Sequence, residues 1–208
     1  PNGTRFSGLL DQVLSNYKDD DRGLFVFALD ADSVDSIEPT VERIADNGNI
    51  VSFNYYSHYD TGESVVGRCE NELLDEALRV RERFPDAVVN HPEYIKALLT
   101  GATSWGVFGY DTCPSISVDH PDNAERIANG NPVLPGFNAY RADGSLAMCC
   151  TSGHCETCRD SQAVQSWLVS NASKYVRAPG GLQTWIEIAE SYWRQFVWSG
   201  LHPLRPGP

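Results

Sequence analysis

The sequence predicts an α/β fold in which tandem βα units precede a small cysteine-rich segment and two C-terminal helices. Three observations predict it. Between Leu24 and Leu99, apolar runs of strand length alternate with amphipathic stretches of helix length. An aromatic, glycine-rich stretch beginning at Trp105 ends that alternation. Four of the six cysteines then fall between Cys149 and Cys158.

The elements follow in order. Leu24 to Leu29 is a continuous apolar run, the pattern of a strand buried on both faces. Ser36 reads as a helix N-cap with Pro39 in the first turn. Ile37, Val41, Ile44 and Ala45 supply the apolar stripe, and Gly48 can take the left-handed conformation that closes a helix. Ile50 to Tyr55 is a second strand. Asn71 to Phe84 is a helix with Leu73, Leu74, Ala77, Leu78 and Val80 on one face. Ala87 to Asn90 is a short third strand. Pro92, suited to a first turn, opens a helix to Leu99, with Gly101 just beyond.

Three βα units in tandem imply a parallel sheet with right-handed crossovers, either doubly wound or part of a (β/α) barrel. Both architectures place ligand sites at the carboxyl ends of strands. The candidates there are Asp30 after the first strand, the run from Asn54 to Asp60 after the second, and Asn90 with His91 after the third. Within the middle run, Tyr55, Tyr56 and His58 can donate hydrogen bonds, and Asp60 could hold an amine or a hydroxyl. Strand-end loops are polar in any protein, so each of these residues also reads as ordinary loop or core.

From residue 105 the character changes. Cys113 to Gly136 is loop-like and contains four prolines. Asp143-Gly144 lies between the short strand-like pieces around Phe137–Tyr140 and Ser145–Met148, a strong hairpin signal. Helices are expected from Ser161 to Tyr175 and from Leu182 to Trp198, the second with Trp185, Ile188, Ala189, Tyr192 and Phe196 along one side. The expected division is 1–104 for the βα units, 105–202 for the cysteine-rich domain with its helices, and 203–208 for a flexible tail.

The chain carries 28 acidic against 16 basic residues, a net charge of −12. Such a surface repels phosphate backbones, which argues against a nucleic-acid partner. Arg79, Arg81 and Arg83 are the nearest approach to a basic cluster, and glutamates in the same helix offset them. The acidic balance suits a small cationic or polyhydroxylated substrate. No run reaches the ~20 apolar residues that span a bilayer, and the N-terminus lacks the basic start and apolar core of a signal peptide. A cytoplasmic location without a membrane partner is therefore expected. The first residue is not Met, so the chain is expected to be a fragment.

The cysteines carry the sharpest chemistry. Cys155 and Cys158 form a CxxC, and from Cys150 the spacing is C-x4-C-x2-C. Disulfide frameworks spread their cysteines, whereas metal sites bunch them. A redox dithiol is the other use of CxxC, but it usually lacks neighbouring thiols. Cys113, stiffened by Pro114, is the natural fourth ligand. Cys149 and Cys150 are adjacent, so one of them is expected to ligate. Four thiolates satisfy either a tetrahedral zinc or an iron–sulfur cluster, and spacing alone leaves that choice open. Cys69 stands apart and reads as a partly buried core thiol.

The arrangement of Cys113, then Gly144 to Cys149 as a G-x4-C on a hairpin, then Cys155-x2-Cys158 resembles the SPASM and twitch domains. These follow the partial barrel of many radical S-adenosylmethionine (SAM) enzymes. The βα units resemble the second half of that barrel, and Asn2-Gly3-Thr4 is similar to the T-N-G-T that often ends one of its strands. The resemblance covers most of the chain. It implies an auxiliary 4Fe-4S cluster on Cys113, Cys149 or Cys150, Cys155 and Cys158, with Ser152, His154 and Thr157 as hydrogen-bonding neighbours. It also implies a small polar substrate, hydrogen abstraction by a 5′-deoxyadenosyl radical, and a reductant such as a flavodoxin or ferredoxin. The C-x3-C-x2-C motif that binds the SAM-cleaving cluster is absent, as is the strand that carries it. SAM and the second 4Fe-4S cluster would therefore belong to a missing N-terminal half. The other class of function is a non-catalytic binding module with a structural Zn(Cys)4 site on an α/β scaffold.

Overall fold

A computed structural model describes residues 8–20, 23–55, 69–100, 139–140, 146–147 and 161–197. These residues form a mixed α/β structure that is mostly helical. In chain order they make α1 (Leu9–Asn16), β1 (Leu24–Leu29), α2 (Val34–Asp46), β2 (Ile50–Tyr55), α3 (Glu70–Arg83), α4 (Pro92–Thr100), β3 (Ala139–Tyr140), β4 (Leu146–Ala147), α5 (Ser161–Ser170), α6 (Ala172–Tyr175) and α7 (Gly181–Tyr192). A π-helical turn, Trp193–Val197, continues α7.

β1 and β2 pair in parallel with Leu24 opposite Ile50 and Leu29 opposite Tyr55, as a βαβ unit requires. The expected third strand over Ala87–Asn90 is reduced to one parallel bridge, Val51 to Val88. The Val51 N–H donates to Ala87 O at 2.8 Å and the Val89 N–H to Val51 O at 3.0 Å. The ladder then stops for a local reason. The Asn90 side chain takes the Phe53 N–H at 2.5 Å, and the Val89 carbonyl accepts the Ser191 hydroxyl at 2.6 Å. Side chains thus intercept the backbone groups that a longer strand would pair. Among the described residues the parallel sheet consists of two strands and this bridge.

α2 begins three residues earlier than expected. Ser33 holds the N-cap position, and Pro39 lies inside the helix rather than in its first turn. The Ser33 hydroxyl accepts the Asp30 N–H at 2.9 Å and donates to the Asp30 carbonyl at 2.7 Å, which closes the loop after β1. Ser36 falls in the first turn, where its hydroxyl donates to Ser33 O. Gly48 follows the helix with φ +80°, the left-handed conformation that favours glycine, and a Cβ there would also meet the Asp19 side chain at 2.6 Å, which would have to turn aside.

The core gathers the apolar faces that the periodicity marks. Leu29, Ile37, Phe53, Leu73, Ile95 and Leu98 are fully buried. α2 packs on α3 and α3 on α4. The C-terminal helices join the same core: α4 packs on α5, and α5 and α6 on α7, with Leu168 and Ile188 buried. The single helix expected over Ser161–Tyr175 is broken at Asn171, whose Nδ2 donates to Trp167 O at 2.9 Å. α1 escaped the sequence reading because only Leu14 of its residues is buried.

The β3–β4 hairpin has the expected antiparallel pairing, Ala139 opposite Ala147 and Tyr140 opposite Leu146. Its Asp143-Gly144 turn, the cysteines of the cluster and the tail 203–208 lie outside the described residues. Among the described residues, no helix is long and apolar enough to cross a membrane.

Candidate functional site

The most organised polar region forms where residues 89–91 leave the sheet. Asn90 is completely buried and cross-links three elements. Its Oδ1 accepts the Phe53 N–H, and its Nδ2 lies 3.2 Å from both Ser52 Oγ and Gln195 Oε1. Gln195 Nε2 returns to Ser52 Oγ at 2.5 Å. The wider π-helical turn carries Gln195, an irregularity that often marks functional segments of helices. Tyr94 adds a hydrogen bond from its hydroxyl to Phe53 O at 3.1 Å. The amide of Asn90 therefore holds β2, the loop after the bridge and the C-terminal helix together.

The next residue, His91, faces a groove of about 580 Å³ between α3, α4 and α7, lined in part by Arg81, Lys96, Glu187, Glu190 and Arg194. His91 is 13% exposed; its Nδ1 accepts the Glu93 N–H at 3.1 Å, and its Nε2 lies 3.6 Å from Glu187 Oε2. That acceptor role places the proton of the neutral ring on Nε2, facing Glu187. Burial pulls the His91 pKa below its ordinary value, and Glu187 offsets this only in part. With Nδ1 occupied by the Glu93 N–H, the neutral ring presents its Nε2–H toward Glu187.

A pH dependence follows. The folded state resists protonating His91, whereas the unfolded chain takes up that proton near pH 6.5. Its contribution to stability is thus complete above the unfolded pKa and declines as pH falls through it toward the lower folded value. In denaturant titrations across mildly acidic pH, wild type is expected to lose stability more steeply than His91→Gln. Parallel pH profiles would refute this.

Arg81 sits at the other side of the groove. Its Nε donates to Asn90 O at 2.7 Å. Burial, and then the neighbouring Arg194, lower its pKa. The cluster Arg79, Arg81 and Arg83 is therefore split. Arg79 pairs with Glu38 and Glu76, and Arg83 with Glu38 and Glu42, on one helix face. Arg81 turns to the opposite one.

The remaining predicted residues do not gather in this groove. Asp30 closes the turn before α2, with its carboxylate accepting the Asp32 N–H at 3.1 Å. Asn54 Oδ1 accepts the N–H of Tyr55, and Tyr55 is buried in the core. Tyr56, His58 and Asp60, the cluster candidates Cys113, Cys149, Cys150, Cys155 and Cys158, and their neighbours Ser152, His154 and Thr157 lie outside the described residues. Cys69, a free and half-buried thiol, occupies the N-cap position of α3. Among the described residues, no group of three or more His, Cys, Asp or Glu side chains could hold a metal ion.

The sequence reading missed Ser52, Arg81, Glu187, Glu190, Ser191, Arg194 and Gln195. One signal for part of this set was present. Glu187, Glu190 and Arg194 recur at i, i+3 and i+7 on the polar face of the last helix. No family model, curated protein or solved structure matches the chain.

Proposed function

We propose that the chain is the C-terminal portion of a radical SAM enzyme, holding an auxiliary 4Fe-4S cluster beside a partial-barrel scaffold that helps position a small polar substrate. The observation that carries this reading is the cysteine constellation: Cys155-x2-Cys158 closely preceded by Cys149 and Cys150, with Cys113 upstream. The donor set suits the group, since four thiolates are what such a cluster needs and what disulfide chemistry would distribute otherwise. Two described elements support it. The β3–β4 hairpin ends at Ala147, two residues before Cys149, and α5 begins at Ser161, three residues after Cys158.

Gln165 adds a further supporting observation. It lies on α5, the helix that follows Cys158, and is fully buried; among the described residues neither of its amide atoms has a hydrogen-bond partner. An unsatisfied buried amide costs about 1–3 kcal/mol. A sulfur-rich group close to α5 would accept its N–H and offset that cost. Once bound, the cluster would supply electron transfer or an anchoring point for substrate. The chain's own residues would supply the thiolates, the hydrogen bonds that set its potential, and exclusion of water. The parallel βα register of β1 and β2 supports the barrel half of the reading, and the missing N-terminal half would bring SAM, its cluster and access to a flavodoxin or ferredoxin.

Anaerobic reconstitution with iron and sulfide tests this. Wild type is expected to bind iron and sulfide in equal amounts and to show broad visible absorption. Cys155→Ala and Cys158→Ala should each abolish the absorption, while Cys69→Ala should leave it intact. One zinc per chain, with no visible absorption, would instead establish a structural Zn(Cys)4 module.

A further inference from the structure

We propose that the outward face of α7 pairs with α7 of a second copy of this chain, antiparallel across a two-fold axis, to form a weak homodimer. This inference is independent of the cluster.

The face is built by helical periodicity. α7 turns Ile188 and Ser191 into the core. Its other side carries Leu182, Ile186, Ala189 and Trp193, at i, i+4, i+7 and i+11. Trp193 keeps helical backbone angles, φ −61° and ψ −42°, so the stripe runs on into the π-helical turn. Leu182 is 53% exposed, Ile186 37% and Trp193 54%. Three of the seven large apolar side chains exposed among the described residues thus share one face of one helix. Burial against the core accounts for one apolar stripe on a helix; α7 carries a second that points outward. Steps of four, three and four are the spacing of a coiled-coil seam, in which each apolar side chain fills a hole on a facing helix.

The order of the side chains selects a second copy as the occupant. Steps of four, three and four read the same in either direction, so a reversed copy of α7 matches the stripe layer by layer, as a two-fold interface requires. With the axis between Glu187 and Ile188, Trp193 meets the partner's Leu182, and Ile186 meets the partner's Ala189. Each layer then sets a larger side chain against a smaller one, which fills the seam evenly. A parallel copy would stack Trp193 on the partner's Trp193 and leave Ala189 facing the partner's Ala189.

The flanks agree. Trp185 and Tyr192 border the stripe on one side, and Gln183, Glu190 and Arg194 on the other. Antiparallel pairing brings like flanks together, so the aromatic side chains meet one another. Gln183 falls level with the partner's Glu190 and the partner's Arg194. Its Nε2 donates to Glu187 at 2.9 Å and has a second N–H for the carboxylate, while its carbonyl can accept from the guanidinium. Parallel pairing would lay Glu190 against the partner's Trp185, whose ring face repels a carboxylate.

Four layers are far fewer than the roughly 20–30 residues a side of a standard interface, so the dimer is expected to dissociate on dilution. Each chain carries a net charge of −12, and salt should tighten the pair by screening that repulsion.

Sedimentation velocity of the full chain over a wide concentration range tests this, with a thiol reductant present to prevent disulfide-linked pairs. Wild type is expected to pass from one chain to two as concentration rises, and to do so at lower concentration in high salt. Leu182→Glu and Ile186→Glu replace exposed side chains. Both should keep the wild-type melting temperature and weaken association at least tenfold. A benzoylphenylalanine photo-cross-linker in place of Trp193, in a mixture of isotope-labelled and unlabelled chains, should join one chain to the peptide that holds the partner's Leu182. A single chain at every concentration in wild type, or undiminished association of the folded variants, would overturn the proposal. So would cross-links to the peptide that holds the partner's Gln195.

Discussion

Replacing Gly181 by alanine is expected to be the most destabilising glycine-to-alanine change among the described residues. A Cβ at this position would lie 1.8 Å from the Tyr175 carbonyl oxygen and 2.7 Å from its carbonyl carbon. Those are backbone atoms, so no side-chain rotation relieves the overlap. The turn that brings them together is tightly closed. Ala178 N–H donates to Tyr175 O, and Gly181 N–H donates to Ala178 O, each at 3.0 Å. Alanine must push α6 and α7 apart, and α7 carries Trp185, whose indole N–H reaches Val169 O at 2.9 Å. Overpacking of this kind costs about 3 kcal/mol, at the upper end of its usual range. Gly180→Ala is the informative contrast. Its φ is +74°, yet nothing lies within 4 Å of its Cβ position, so only the left-handed penalty of about 1–2 kcal/mol applies. Urea midpoints of the two variants should differ in that order. Equal midpoints would show that the α6–α7 junction yields easily.

Asn90→Ala is the second large effect, and it acts through orphaned partners. The substitution leaves the Phe53 N–H, Ser52 Oγ and Gln195 Oε1 without the amide that meets them. Losing such a buried hub costs about 3 kcal/mol, because each stranded donor or acceptor keeps its desolvation penalty. For a chain of this size that lowers the melting temperature by roughly 6–12 °C. Asn90→Asp separates the two halves of the amide. It keeps an acceptor for Phe53, but it sets a carboxylate against Gln195 Oε1, so it should rescue only part of the loss. A melting temperature unchanged in Asn90→Ala would mean that the polar knot contributes nothing net.

How much of this was legible in the sequence differs from element to element. β1 and β2 were, because a six-residue apolar run in the first and a strand-length stretch rich in β-branched and aromatic residues in the second, each bounded by polar loops, admit few other readings. The stripes of α2 and α3 were, because Ile37, Val41 and Ile44, and Leu73, Ala77 and Val80, recur at helical spacing and are all buried. The third strand was not, because the sequence Ala87-Val88-Val89-Asn90 does not reveal that the Asn90 amide will replace a backbone acceptor. The start of α2 was missed because Ser33 and Ser36 are equally good capping residues, and only the reciprocal bonds to Asp30 separate them.

The site was less legible than the fold. Adjacent Asn90 and His91 were flagged as strand-end polar residues, yet one proves to be a buried cross-link and the other a groove donor. Arg81 was hidden by its neighbours, since the charge balance of a helix does not say which arginine turns away from the glutamates. Ser191 and Gln195 lie about a hundred residues downstream of the loop they meet, and no local pattern encodes that encounter. The cysteines are the reverse case. Their spacing suggests a metal site, leaves zinc against iron–sulfur open, and says nothing of the surrounding shell.

The proposed iron–sulfur cluster on the late cysteines is tested by the iron and acid-labile sulfide content of the chain purified and reconstituted without oxygen. About four irons and four sulfides per chain, lost together in Cys155→Ala, is the predicted result. A single tightly held zinc with no sulfide would contradict it.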